Sequence, residues 1–202
     1  MTDIKTIKIK KNTDNMRKIL ILIFGILLLT TKSNAQDLTT KEYYESGKLK
    51  MEYSGENGKP EGIARMYYPT GELYGDLMYK SGKQNGLSKV YYQSGKIERE
   101  LYFKNGIQVD TMKIYFESGQ LQELCFVKNG MKNGIFKQYY ENGQIEIDGY
   151  IKDNMVNGLC TYYKENGKIW KTGKYDMGTP IGNWTEYDEF GVTQKKYGNP
   201  DE

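Results

Sequence analysis

The sequence predicts an all-β fold, an elongated single-layer antiparallel β-meander of about six β-hairpin repeats, each 24 residues long. Three observations carry this. Tyrosine recurs at Tyr43, Tyr67, Tyr91, Tyr115, Tyr139, Tyr163 and Tyr187, each step being 24 residues. Four positions after each stands a glycine: Gly47, Gly71, Gly95, Gly119, Gly143, Gly167 and Gly191. Between these markers, short aromatic and β-branched stretches alternate with Asn-Gly and Ser-Gly pairs, which signal β-hairpins. Helices are excluded because a glycine in a helix interior costs about 1 kcal/mol.

In chain order, residues 1–35 come first and read as a signal peptide. An uncharged run from Ile19 to Leu29 follows Arg17 and Lys18, and Ser33-Asn34-Ala35 supplies small residues for cleavage after Ala35. The run falls short of the roughly 20 residues that cross a bilayer as a helix, and no Cys follows it to carry a lipid anchor. Met16-Arg17-Lys18 would itself start a compact signal, so residues 1–15 are expected to come from an upstream start codon. Residues 36–42 form a short lead-in. Residues 43–192 hold the repeats, with units starting at Tyr43, Tyr67, Tyr91, Tyr115, Tyr139 and Tyr163 and a partial cap from Tyr187. Residues 193–202 are a tail.

Each unit reads as a strand of about eight residues, a longer turn, a second short strand and a tight turn into the next unit. The longer turn carries two further columns. Gly58, Gly82, Gly106, Gly130, Asn154 and Gly178 form one, and Gly62, Gly86, Asp110, Gly134, Gly158 and Gly182 the other. Asn and Asp are the side chains that best tolerate a left-handed backbone, so their presence there says that both columns demand positive φ. A lone hairpin cannot bury its apolar side, so stability is expected from neighbour stacking, with tyrosine ladders in place of a thick core.

Composition excludes several functions. There is no histidine, which removes Ser-His-Asp and Cys-His nucleophile pairs and the common catalytic zinc sites. Of 29 basic and 26 acidic residues, seven and two fall in residues 1–35, which leaves 22 and 24 and a net charge of −2. Charges of both signs are interspersed, without the basic stripe that nucleic acid or anionic lipid requires.

The repeated Tyr-x-x-x-Gly-x-Leu/Ile, as in Tyr67-Tyr68-Pro69-Thr70-Gly71-Glu72-Leu73 and Tyr139-Tyr140-Glu141-Asn142-Gly143-Gln144-Ile145, resembles the MORN repeat. Gly182-Asn183-Trp184-Thr185-Glu186-Tyr187 closes the series. The likeness is to the variant found in exported or antitoxin-like bacterial proteins, and it covers residues 43–192. Departures are Asp110 for glycine, Phe116 for a second tyrosine and a spacing of 24, slightly longer than usual. The resemblance implies a hairpin array used for binding or scaffolding, associated with membrane lipid, protein assembly or the antitoxin half of a toxin–antitoxin pair.

Candidate chemistry is sparse. Cys125 and Cys160 fall three strands apart, about 14 Å, whereas a disulfide needs Cα atoms within about 7 Å, so none is expected. Glu117, Glu141, Glu165 and Glu189 share a column, but about 10 Å separates neighbours, too far for one calcium ion or a catalytic acid pair. No catalytic residue, metal or cofactor is expected, and the chain reads as no enzyme. The candidate binding face is the second aromatic of each doublet, Tyr44, Tyr68, Tyr92, Phe116 and Tyr140, which alternation sends to the opposite side from the first. Cross-strand stabilisation is the competing role for both ladders.

The expected function is an exported, non-enzymatic protein-binding module acting through its sheet, with an unidentified protein partner and no nucleic acid. An antitoxin or immunity-like role, or attachment to envelope glycan or lipid, is the alternative.

Overall fold

The structure, a computed structural model, describes residues 39–198. The segment read as a signal peptide, its cleavage site and Asn199 to Glu202 lie outside the described residues. Sixteen strands and no helix occur among the described residues. They are β1 (Thr39–Tyr43), β2 (Leu49–Glu56), β3 (Lys59–Tyr67), β4 (Leu73–Lys80), β5 (Lys83–Gln84), β6 (Gly86–Tyr91), β7 (Ile97–Lys104) and β8 (Ile107–Tyr115). They continue with β9 (Leu121–Lys128), β10 (Met131–Tyr139), β11 (Ile145–Lys152), β12 (Met155–Val156), β13 (Gly158–Tyr163), β14 (Ile169–Asp176), β15 (Thr179–Tyr187) and β16 (Val192–Tyr197). All belong to one open antiparallel sheet in which each strand pairs with the next in the chain, except that β5 and β6 both pair with β4 and β12 and β13 both pair with β11. The pairs β5/β6 and β12/β13 are single strands interrupted at Asn85 and Asn157.

The turn chemistry produces this order. At Asn57-Gly58, Ser81-Gly82, Asn105-Gly106, Asn129-Gly130, Asp153-Asn154 and Met177-Gly178, both residues have positive φ, the requirement of a type I′ hairpin turn. The expected longer turn is therefore a two-residue one. The second glycine column lies inside the following strand and also has positive φ throughout, Asp110 included at 65°. It marks a bulge: Tyr53 pairs with Ala64 and Ser54 with Glu61, so Gly62 and Ile63 have no partner on β2. Both pair with β4 instead, through Tyr79 and Met78. The extra residues bend the strand while keeping both ladders in register.

Successive turns are tied to one another. Gly82 N–H donates to the Pro60 carbonyl, and Gly106, Gly130, Asn154 and Gly178 repeat that bond one unit on. The side-chain oxygens of Glu61, Asn85, Asn133 and Asn157 accept from the first turn residue of the next unit, Ser81, Asn105, Asp153 and Met177. Val109 breaks this column beside Asp110, so Asn129 lacks the side-chain bond its equivalents have.

At the ends of the array, Thr39 to Glu42 of the lead-in form strand β1 together with Tyr43, paired with β2, and Thr193 to Tyr197 of the tail belong to β16. Thr193 stands exposed on the edge strand β16.

The core lies on one face. A row across the strands joins Tyr53, Ala64, Leu77, Ser88, Leu101, Met112, Cys125, Phe136, Gly149, Cys160 and Gly173. Met112, Cys125, Val127, Phe136 and Ile151 form its buried cluster, with Leu101, Ile114, Ile147 and Val156 packed against it. Gly149 is small because Cys160 Sγ would stand 3.1 Å from a Cβ there.

Left-handed backbone at the turns sets a test. Gly106→Val, at φ 84° with open space around the added atoms, is expected to cost at least about 1–2 kcal/mol, while Met177→Asn, at φ 42°, recovers part of that strain. Urea denaturation measures both. Unchanged midpoints for the pair would contradict the turn assignment.

Candidate functional site

The doublet tyrosines occupy the linker end of each hairpin, where five residues connect one strand to the next. Three of the first tyrosines turn their hydroxyls to an acid in the preceding unit: Tyr67 donates to Glu52 at 2.7 Å, Tyr91 to Asp76 at 3.1 Å and Tyr115 to Glu100 at 3.0 Å. Burial, reinforced by the carboxylate that each faces, pushes Tyr67 and Tyr115 up to about 12. Since the unfolded phenols lose protons first, this stabilisation is complete below pH 10 and is lost as pH rises toward 12.

The second column, named above as the candidate binding face, is half-buried. Tyr44, Tyr68, Tyr92 and Tyr140 each donate to the main-chain carbonyl of the first tyrosine one unit on, Tyr67, Tyr91, Tyr115 and Tyr163, at 2.6–2.8 Å. Phe116 has no hydroxyl for the Tyr139 carbonyl. These side chains staple successive linkers as the turn bonds staple the opposite ends. The rings form no continuous stack, because equivalent positions lie two strands, or about 10 Å, apart.

The face opposite the core carries two rows that sequence reasoning missed. One is a charge row in cross-strand register: Lys41, Glu52, Arg65, Asp76, Lys89, Glu100 and Lys113 alternate in sign. Five of its contacts are ion pairs of 3.5–3.9 Å. Leu124 interrupts it, Lys137 and Asp148 resume it at 2.7 Å, and Thr161, Thr172 and Thr185 complete it with hydroxyls. Half-exposed pairs of this kind are each worth at most about 1 kcal/mol, so the row selects register more than it adds stability.

Beside it runs an apolar band: Ile63 with Met78, Leu87 with Tyr102, Thr111 with Phe126, Ile135 with Tyr150, and Leu159 with Lys174. Ile135 is 50% exposed, Tyr150 47% and Leu159 60%. Large apolar side chains standing in line on a solvent face mark a contact surface. A shallow cavity of about 380 Å³ next to Leu159 and Ile181 ends the band.

The interspersed charges are sorted by the fold. Lys80, Lys104, Lys128 and Lys152 share a column at the four central two-residue turns, with Glu56 and Asp176 at its two ends and Ile107, Met131 and Met155 directly across from the last three lysines. Glu45, Glu72, Glu117, Glu141, Glu165 and Glu189 sit in the linkers at the other end. Averaging charge along the sequence conceals this basic edge.

Cys125 and Cys160 are buried free thiols on the core face. Burial pushes Cys125 up to about 11 and raises Cys160 as well, which keeps both as neutral, unreactive thiols. Among the described residues no group of three or more His, Cys, Asp or Glu side chains converges.

One open sheet, built from hairpins that contact only their neighbours, defines a β-repeat protein. The family described as MORN repeat variant matches residues 36–59, 60–81, 84–105, 111–129, 132–153 and 156–177, and the chain belongs to that family. Most matched segments begin in the second strand of a hairpin and close near a two-residue turn, a different phase from units counted at the tyrosines. No curated protein matches the chain. MORN repeats are commonly protein- or membrane-binding modules, and their fold is typically non-catalytic.

The stapling column yields a paired test. Phe116→Tyr is expected to gain, and Tyr92→Phe to lose, about 0.5–1.5 kcal/mol of stability, the net value of one hydrogen bond. Thermal unfolding of the two variants reads both signs, and a loss in both would contradict a stapling role.

Proposed function

We propose that this protein is exported and acts without catalysis as a docking scaffold, holding another protein against the apolar band opposite its core. The carrying observation is the alignment of Ile135, Tyr150 and Leu159 beside a charge row that fixes the register of an incoming surface. Charged rims orient a partner while apolar centres supply affinity. Export rests on the charged start, apolar run and Ser33-Asn34-Ala35 of the first 35 residues. An antitoxin or immunity-like role is one form of this docking, acting on a toxin beyond the inner membrane.

The basic turn edge favours a second reading. Lys104, Lys128 and Lys152 opposite Ile107, Met131 and Met155 pair cations with apolar tips, the combination that seats a protein on anionic headgroups.

Site-specific photocrosslinking in intact cells tests the first reading. A crosslinker at Tyr150 is expected to trap one protein, one at Tyr53 on the core face none, and Ile135→Asp with Leu159→Asp to lower the yield by about tenfold or more. The crosslinker-bearing chain in the adduct should begin at Gln36. Equal adducts from both faces, or an uncleaved chain, would contradict the proposal. Sedimentation with anionic vesicles, abolished by Lys104→Gln and Lys128→Gln, would favour the second reading instead.

A further inference from the structure

The last hairpins depart from the rest of the array. The chain has two tryptophans, and both stand in one aromatic cluster on β14 and β15. Trp184 occupies the core column held in earlier units by Ala64, Ser88, Met112, Phe136 and Cys160. Its ring takes the space that a side chain at position 173 would need, since a Cβ on Gly173 would overlap the Trp184 ring. Tyr175 and Tyr197 meet Trp184 edge-on with centroids at 5.1 and 5.8 Å, and Tyr162 lies 6.2 Å away. Trp170 packs edge-on against Tyr162 at 6.5 Å.

Over the rings of Tyr175, Trp184 and Tyr197 lies a cavity of about 340 Å³, lined also by Lys171, Glu186 and Lys195 among others. Lys171 Nζ stands 4.4 Å from the Trp170 ring centre and 4.6 Å from that of Tyr162, and Lys195 Nζ 5.0 Å from that of Tyr197. Neither lysine is in an ion pair among the described residues. Glu186 lies directly across from Lys171, yet its carboxylate accepts from Trp170 Nε1 at 3.1 Å. The cavity thus has an aromatic floor, two ammonium groups and one carboxylate already held in place.

We propose that this cavity binds a carboxylate-bearing pyranose, the acidic sugar of an extracellular or cell-wall polysaccharide. A sugar ring offers one face of C–H groups to aromatic rings and a rim of hydroxyls to polar groups, which is the division this cavity presents. Its carboxylate takes charge-assisted bonds from Lys171 and Lys195, and its hydroxyls donate to Glu186. A cationic ligand is disfavoured because Lys171 and Lys195 already bring two positive charges to the cavity. A wholly apolar ligand would cover the two ammonium groups without giving them a partner. The site lies on the core face, so it is independent of docking on the opposite side.

Both tryptophans report on the site, so titration of the full chain by intrinsic fluorescence is the test. The probes are trigalacturonate, its methyl ester, and a disaccharide containing N-acetylmuramic acid. At least one acid is expected to shift the emission saturably, and the acid that binds more tightly identifies the source, uronate polymer or cell wall. For trigalacturonate the methyl ester is expected to bind about tenfold more weakly or worse, and Lys171→Gln with Lys195→Gln to lose a similar factor for the better acid while circular dichroism stays unchanged. The ester comparison needs no variant, so a misfolded variant leaves the proposal testable. Saturation by neither acid, equal binding of trigalacturonate and its ester, or undiminished binding by the folded double variant would overturn it.

Discussion

Positive φ at three columns of the repeat is the constraint from which the rest follows. Each type I′ turn reverses the chain in two residues, each bulge glycine inserts the same offset, and each linker glycine closes the return. Because these devices recur at one spacing, every strand meets its successor in the same register. Equivalent side chains are thereby sorted into rows across the sheet. The core row, the charge row, the apolar band and the basic edge are all consequences of that sorting.

A single sheet has no second layer to cover it, so each hairpin must be held by the next. Backbone bonds tie the turns, tyrosine hydroxyls tie the linkers, and the core face packs its larger side chains between strands. The tyrosine-rich composition has its explanation in this: a phenol covers apolar surface and still reaches a carbonyl or carboxylate one unit away. Where a staple is missing, as at Phe116 and Val109, the neighbouring column also departs, at Asp110.

Much of the fold was legible in the sequence because glycine and asparagine columns report backbone conformation directly. The single antiparallel sheet and the demand for positive φ at Asp110 and Asn154 follow from residue type alone. The bulge was less visible, since Asn133-Gly134 reads as a turn when the two-residue closure at Asn129-Gly130 is not recognised as complete. The tyrosine columns were visible, but their hydroxyl partners were not, because these lie 15 or 23 residues away on other strands. The charge row and the apolar band were encoded in repeat columns too. Their residue types vary from unit to unit, so only strand register brings Lys89 to Glu100 or Ile135 to Tyr150.

The resulting surface is two-sided, with a packed core face and an opposite face on which charge and apolar surface run in parallel. The central claim, that units lie side by side in chain order, is tested most directly by pulsed electron paramagnetic resonance. Spin labels at the linker residues Glu45, Glu117 and Glu189, with Cys125 and Cys160 replaced by serine, read the spacing of equivalent positions. Separation should grow with the number of intervening strands, with Glu45 to Glu117 near 30 Å on a spacing of about 4.8 Å per strand and Glu45 to Glu189 clearly longer. A Glu45 to Glu189 distance equal to or shorter than Glu45 to Glu117 would mean that the array closes on itself, and would contradict the account.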